Sequence, residues 1–551
     1  MEERIRKAVE GALAKAGARD IVFTVERPTE ATHGDYMTNA ALAAAKALGK
    51  NPRELADELA RHLIDTLGTD IASHVSVAGP GFVNITLARE AVSFAVAEAD
   101  AKGEEWGKGV IKNEKRVIVE YSNPNAFKEM HIGHLVGTIV GEAVSRLIEN
   151  TGAKVARDTF GGDIGPNVAK ALWGLRKEGI SEPTTPGEIG TAYAAGSTAY
   201  ESDPSAKEEI DALNQAIYVG MDSELMELWR AGRDISVEEF RRIWKLLGTH
   251  FDFEFFDSDT TEIGVRVVHD GLAKGIFEKS DGAIIYNGEE KGVHTMVFIT
   301  SHDTPTYEAK DIGLAFLKEE RWPSDESIIV TGNEQTGRFK TVLAALSEVA
   351  PLLAGKTAHI ATGFLKLASG KMSSREGNVI TAAEFIREIT VRASEKNTDM
   401  LVAEQVAVGA IKYMALRQSP GSDIIFDEEK SLSLEGDSGP YLQYALVRAK
   451  SVLTAAEKNG APATGAPKSS YLIERSIVHF PEVVARSARE FAPNLLVTYL
   501  TELAGEWNSF YAQERIIGGD HEKYKLKLAR AFVNTMTNGL TLLGIPAPEK
   551  M

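Results

Sequence analysis

Arg116-Val-Ile-Val-Glu-Tyr-Ser122 is a short apolar run, and His131-Ile-Gly-His134 follows it at the head of an amphipathic stretch that reaches Asn150. The pattern predicts a strand, a loop and a helix N-terminus. The first backbone N–H groups of a helix are unpaired and carry partial positive charge, so they suit a nucleoside triphosphate. A glycine between two imidazoles lets a base or phosphate approach the backbone. Lys154-Val-Ala-Arg-Asp-Thr-Phe160 then reads as a second strand. The segment has the β-α-β pattern of a Rossmann-like parallel sheet.

Lys371-Met-Ser-Ser374 stands much later, inside the Gly-rich Ser369-Gly-Lys-Met-Ser-Ser-Arg-Glu-Gly377. Taken singly, His131 and His134 are two surface histidines beside a helix cap, and 371–377 is a solvated turn. In this order, with the first element inside a β-α-β pattern, the pair resembles the two signatures of class I aminoacyl-tRNA synthetases.

A chain of 551 residues exceeds what one core supports, so three or four domains are expected. With 43% apolar and 25% charged residues it has the composition of a soluble globular protein. No apolar run approaches the roughly 18 residues of a membrane span, and Met1-Glu-Glu-Arg-Ile-Arg-Lys7 reads as a polar amphipathic helix rather than a signal peptide. A cytoplasmic location without a membrane partner is expected. The absence of cysteine excludes disulfides and Cys-ligated zinc or iron–sulfur sites, and the histidines show no metal-ligand spacing. The net charge of −18 opposes a phosphate-rich partner. Its distribution is uneven, because 431–551 carries 13 Lys and Arg against 12 Asp and Glu. Local patches, not global charge, decide whether a large RNA can be held.

The expected architecture is multidomain α/β: a Rossmann-like catalytic core, an α+β N-terminal domain and an all-α C-terminal bundle. Residues 1–106 combine helical periodicity at 5–13 and 38–67 with strands at 21–25, 75–78 and 82–87. Residues 107–355 hold the nucleotide-binding pattern and later strands Val297-Phe-Ile-Thr300 and Ser327-Ile-Ile-Val-Thr331. Within them, about 180–260 is a helical insertion broken by Pro183, Pro186, Gly196 and Pro204. Residues 356–430 carry the Lys371 segment and a helix at 402–417. Residues 431–551 form a bundle with helices at 441–458, 472–491, 494–511 and 524–543 and a flexible loop at 461–467.

Further blocks narrow the resemblance to the arginyl-tRNA synthetases, over essentially the whole chain. Glu120-Tyr-Ser-Asn-Pro-Asn125 and Tyr307-Glu-Ala-Lys-Asp311 look like that family's catalytic motifs. His33-Gly-Asp-Tyr36 and Ala78-Gly-Pro-Gly-Phe-Val-Asn84 are similar to its appended tRNA-contacting domain. Glu435-Gly-Asp-Ser-Gly-Pro-Tyr-Leu-Gln-Tyr444 and Gly544-Ile-Pro-Ala-Pro-Glu-Lys-Met551 resemble its anticodon-binding bundle. The implied activity joins L-arginine to tRNA(Arg) through an arginyl-adenylate, with ATP and Mg²⁺ entering as substrate and no tightly bound cofactor, in a chain expected to be monomeric. Cysteine specificity is disfavoured by the missing zinc ligands, and branched-chain specificity by the lack of a long editing insertion.

The resemblance also implies roles. His131, Gly133, His134, Lys128, Lys371 and Met372 would hold ATP. His131, His134, Lys371, Ser373 and Ser374 would stabilise the charge that grows on its phosphates. A guanidinium is a flat, always-charged fork of donors, so its pocket needs carboxylates and flat acceptors. Asp311 and Glu120 would meet it and Tyr307 would line the same pocket, while Asn125 and Gln335 would hold the α-amino and α-carboxylate end and Ser122 completes the arginine site. Without the resemblance Asp311 reads as a surface carboxylate paired with Lys310 or Lys318. Tyr36, Asn84, Tyr441, Tyr444 and Arg448 are tRNA candidates, joined by Trp507 and Tyr511, although aromatics at helical spacing more often pack a core. Glu376 replaces a residue that is commonly basic in the family and lowers the positive charge of its loop. Two other readings compete: a small-metabolite nucleotidyltransferase with the same His-x-Gly-His element, whose compact form needs neither terminal region, and a catalytically inert tRNA-binding protein on the same scaffold.

Overall fold

Val117, Ile118 and Val119 are all fully buried, so this strand does not alternate between an inner and an outer face. That is the mark of a parallel sheet covered on both sides. The computed structural model describes residues 1–368, 380–456 and 465–551. It places β1 (Arg116–Glu120), β2 (Lys154–Gly161), β3 (Phe253–Phe256), β4 (Glu326–Gly332) and β5 (Thr357–Thr362) in one sheet of order β5-β4-β1-β2-β3. Every neighbouring pair is parallel. Helices α1 (Ile132–Glu149), α2 (Asp257–Ala273), α3 (Tyr307–Arg321) and α4 (Thr336–Val349) belong to the same body. The strand order reverses between β1 and β4, and in open α/β sheets a ligand binds beyond the strand C-termini at such a point. The loops there are 121–131 after β1 and 333–335 after β4.

This body comprises 109–440, 487–497 and 541–551. Between β2 and β3 run the helices Pro186–Ser202, Pro204–Val219 and Ser223–Leu246, the first two opening on a proline at their first turn. Two expectations need correction. The Val297 strand is Met296–Ile299 and belongs to a separate antiparallel sheet with Ala283–Tyr286 and Glu278–Ser280. The boundary expected at 355 falls just ahead of β5, which is an edge strand of the catalytic sheet.

The second compact unit joins 1–108 with 441–486 and 498–540. Its N-terminal part is a four-stranded antiparallel sheet of Val25–Glu26, Tyr36–Thr38, Phe82–Leu87 and Ala72–Ala78 in that spatial order. The strand expected over 21–25 is reduced to its end. Helical periodicity over 38–67 resolves into Ala40–Leu48 and Pro52–Leu67, separated where Gly49 closes the first helix with φ 62° and Asn51 caps the second. The bundle uses Gly439–Ala456, Leu472–Val478, Phe480–Arg489, Pro493–Gln513 and Glu522–Leu542. The single helix expected at 472–491 is therefore two. Among the described residues no helix is long and apolar enough to cross a membrane.

Candidate active site

The loop after β1 is held in an unusual conformation before any ligand is considered. Ser122, Asn123 and Phe127 have φ of 76°, 50° and 62°. Non-glycine residues there cost on the order of 1 kcal/mol each, so surrounding bonds must enforce them. Trp244 Nε1 donates to Ser122 Oγ at 2.9 Å, and Thr138 Oγ1 lies 2.9 Å from the same atom. Asn123 N donates to Thr159 Oγ1 at 3.1 Å, and its Oδ1 accepts from Phe160 N at 2.9 Å. Phe127 N donates to Ser236 at 3.0 Å. Ser122 was expected in the arginine site. Its buried hydroxyl is engaged by Trp244 and Thr138, which fixes the loop at that residue.

His131 is the N-cap of α1. Its Nδ1 accepts from Gly133 N at 3.1 Å, while His134 Nδ1 accepts from His131 N at 3.2 Å. The rings stack 3.8 Å apart at 26°. Because both Nδ1 atoms accept, the proton of each neutral ring sits on Nε2, and both imidazoles become outward donors. Burial, the His131 ring and Lys128 push the His134 pKa down to about 3; burial and Lys128 also lower that of His131. His134 therefore donates without titrating near neutrality, and the shift of His131 favours the same neutral form. Gly133 has a specific reason: a Cβ there would stand 2.9 Å from His131 Cε1 and 3.0 Å from its Nδ1. The glycine makes room for the first histidine's own ring, where the sequence suggested room for a ligand. Lys128 Nζ lies over Tyr193, 4.7 Å from the ring centre.

Tyr307, Asp311, Leu314 and Lys318 fall on one face of α3 by their spacing. Tyr307 is 52% exposed at the first turn. The Asp311 side chain is only 9% exposed, and neither Lys310 nor Lys318 is its partner. Lys310 Nζ donates to Asp257 at 2.9 Å. Lys318 Nζ donates to Glu120 at 2.6 Å and sits 2.9 Å from Asp158. Glu120, expected to meet a guanidinium, thus already carries Lys318 on one oxygen and Asn123 Nδ2 on the other at 2.9 Å. It lines the same recess as Asp311. Asp311 is bonded by Arg338 Nη1, and Gln335 Oε1 accepts from Arg338 Nε at 2.8 Å. Burial raises the Asp311 pKa to about 7 despite Arg338, with Glu120, Glu308 and Asp257 pushing the same way. Asn125 Oδ1 accepts from Gly162 N at 3.0 Å.

The structure therefore gathers His131, Gly133, His134 and Lys128 at the α1 N-terminus, and Glu120, Asp311 and Gln335 around Arg338. Lys371, Met372, Ser373, Ser374 and Glu376 lie outside the described residues, as does most of the loop expected at 461–467. Ile380 O accepts from Ile132 N at 3.3 Å and Ala382 N donates to Met130 O at 2.7 Å. Arg338, Asp158 and Glu308 were missed in the sequence, where Lys318 figured only as a partner for Asp311. Gln335 and Arg338, three apart at a helix start, were the available sign of the first.

The RNA candidates divide. Tyr36 is buried and donates to Glu482 at 2.8 Å, and Asn84 is buried within its strand, so neither side chain is presented to a partner. Trp507 is fully buried and stacked on Phe532 at 4.6 Å. Arg448, by contrast, lies 4.8 Å from the ring of Tyr444 and 4.9 Å from that of Tyr511, which is 41% exposed. Tyr441 is half-buried beside Gly505.

Comparison with known proteins agrees with this layout. The family model described as tRNA synthetases class I (R), catalytic domain, matches residues 96–428. The arginyl tRNA synthetase N terminal domain matches 3–87, and the DALR anticodon binding domain matches 442–551. The arginine–tRNA ligase of Fusobacterium nucleatum is 31% identical over 570 residues, covering 99% of this chain and 98% of its own. The solved Thermus thermophilus arginyl-tRNA synthetase superposes with a TM-score of 0.81 at 27% identity, over 100% of both chains. The Plasmodium falciparum arginyl-tRNA synthetase, at 19% identity and a TM-score of 0.81 over 100% of this chain and 99% of that one, shares the fold. With a catalytic match spanning more than half the residues and both terminal domains in order around it, the chain belongs to the arginyl-tRNA synthetases.

Proposed function

We propose that the chain catalyses ATP-dependent ligation of L-arginine to tRNA(Arg), acting as a monomer in the cytoplasm. The arginine carboxylate attacks the α-phosphorus of ATP, brought in with Mg²⁺, and pyrophosphate leaves. A terminal ribose hydroxyl of the tRNA then takes the arginyl group from the adenylate, and AMP leaves. Neither step needs a protein nucleophile. The enzyme's task is to align the attack and to stabilise charge on phosphate oxygens, each well-placed donor contributing roughly 3 kcal/mol.

The observation that carries the reading is a neutral imidazole pair locked as Nε2–H donors at the α1 N-terminus, within the same switch-point region as a largely buried, cation-bound Asp311. Asp311 takes the substrate guanidinium, with Glu120 nearby and Tyr307 at the mouth, and Gln335, expected at the α-amino and α-carboxylate end, is reassigned as a flat acceptor beside Asp311 because its Oε1 already accepts from the Arg338 guanidinium. Asn125, its Oδ1 already engaged, turns its Nδ2 donors to the amino acid's carboxylate end. Lys128 and the Lys371, Met372, Ser373 and Ser374 segment complete the triphosphate site. Tyr444, Arg448 and Tyr511 offer a stacked platform to unpaired tRNA bases, with Tyr441 at its margin. The division into 1–106, 107–355, 356–430 and 431–551 is kept as a functional one, with the catalytic sheet extended through β5.

The competing nucleotidyltransferase reading is separated by ATP–pyrophosphate exchange, run with and without bulk tRNA. Exchange dependent on arginine, and followed by charging when tRNA is present, is the expected result. Exchange driven by a small metabolite, with no aminoacyl-tRNA formed, overturns the proposal.

A further inference from the structure

Arg338, in the first turn of α4, seats its own guanidinium against the groups assigned to the substrate's. Nη1 donates to Asp311, Nε donates to Gln335 Oε1 at 2.8 Å, and the guanidinium carbon lies 4.6 Å from the centre of the Phe339 ring. The planar fork of arginine is matched by no other side chain, so the contact set reproduces what a bound arginine side chain would need.

A second observation stands beside it. Glu308 follows Tyr307 in α3, is only 8% exposed, and among the described residues makes no hydrogen bond or ion pair. A carboxylate with no partner of its own is available to a cation. Its charge acts on both Asp311 and Arg338, which places it within electrostatic reach of the same cation.

We propose that Arg338 is an internal competitor for the arginine site: it occupies Asp311 and Gln335 until the substrate guanidinium displaces it, and Glu308 then receives it. The inference rests on Asp311 being the guanidinium site. Its function follows from charge balance. Glu120, Asp158, Asp257, Glu308 and Asp311 crowd a small region that Lys310 and Lys318 only partly neutralise, and a resident cation keeps Asp311 ionised and ready. The consequence is mass action. If Arg338 holds the site about nine-tenths of the time, the apparent affinity for arginine is about tenfold weaker than that of the open site.

The test is the KM for arginine in charging of bulk tRNA by the full-length variants R338K and R338Q. It is run at several pH values from about 7.5 to 9.5, with the upper end read, because losing Arg338 removes a cation that holds the Asp311 pKa down. R338Q should lower KM about tenfold with kcat within about twofold, the signature of relieved competition without a change in the chemical step. R338K keeps a cation and thereby the fold, but a point charge grips Asp311 and Gln335 less well, so KM should fall by less. E308Q should raise KM in the wild-type background and leave it unchanged in R338Q. An unchanged or raised KM in both Arg338 variants overturns the proposal; if R338Q does not fold, R338K alone decides it. D311N is measured in parallel: a wild-type KM there would remove the site assignment itself, and the proposal with it.

Discussion

At the scale of single residues, the histidine pair shows how a backbone can choose a tautomer. Gly133 N and His131 N each present a hydrogen to an Nδ1 atom, so the only hydrogens the neutral rings can offer a ligand are on Nε2. Converting His134 to Ala removes one donor and half of the reciprocal cap. It should cut kcat about 10²- to 10³-fold while tRNA affinity, read by filter binding, stays within a few-fold. The pH profile should follow a different group. His134, lowered to about 3, does not change charge between pH 6 and 8, and His131 is shifted in the same direction. Asp311 is raised to about 7, so its carboxylate takes up a proton as pH falls through that value and the cation site loses its charge. The KM for arginine should climb steadily below pH 7. In the stability profile the sign differs: His134 stays neutral in the fold while an unfolded imidazole protonates below about 6.5. The native state then binds fewer protons, and this group's contribution to stability falls with decreasing pH, by up to about 1.4 kcal/mol per unit.

At the scale of elements, the central βαβ unit was legible because its chemistry is local. Three consecutive apolar residues in β1, a capping pair and a long amphipathic helix are each visible within a window of twenty residues or so. Elements whose existence depends on distant partners were not. Phe253–Phe256 is a four-residue strand at the end of a helical region, and only pairing with β2 makes it one. Thr357–Thr362 looks like connecting chain until β4 lies alongside. The same holds for the site: Asp311 was legible as a residue type, but its bond to Arg338 crosses from α3 to α4 and has no spacing signature. Tyr36 and Asn84, expected as RNA contacts, are buried, which motif likeness does not reveal. The cap of α1 supplies a prediction at this scale. Gly133→Ala would press a methyl against the His131 ring at about 3 Å and turn that ring from its bond. Thermal unfolding should move by only a few degrees, because the site is at the helix surface and open to solvent. Turnover should drop at least tenfold. A large loss of stability, or undiminished turnover, would contradict the positional role.

At the scale of the whole molecule, a net charge of −18 coexists with membership in an RNA-charging family, because binding is decided by local surface. In the bundle, Arg448 lies within cation–π distance of Tyr444 and Tyr511, joining positive charge to aromatic faces on a surface that is near neutral overall. The acid excess is concentrated elsewhere, and part of it surrounds Asp311, where the proposed function seats a cationic amino acid. The most direct test of that central claim offers all twenty amino acids, separately and radiolabelled, with ATP and bulk tRNA, to the wild-type chain and to D311N. Arginine alone should be charged by the wild type, and D311N should lose at least about 10²-fold in kcat/KM for it with the KM for ATP unchanged. Charging of a different amino acid, or undiminished arginine charging by D311N, would contradict the account.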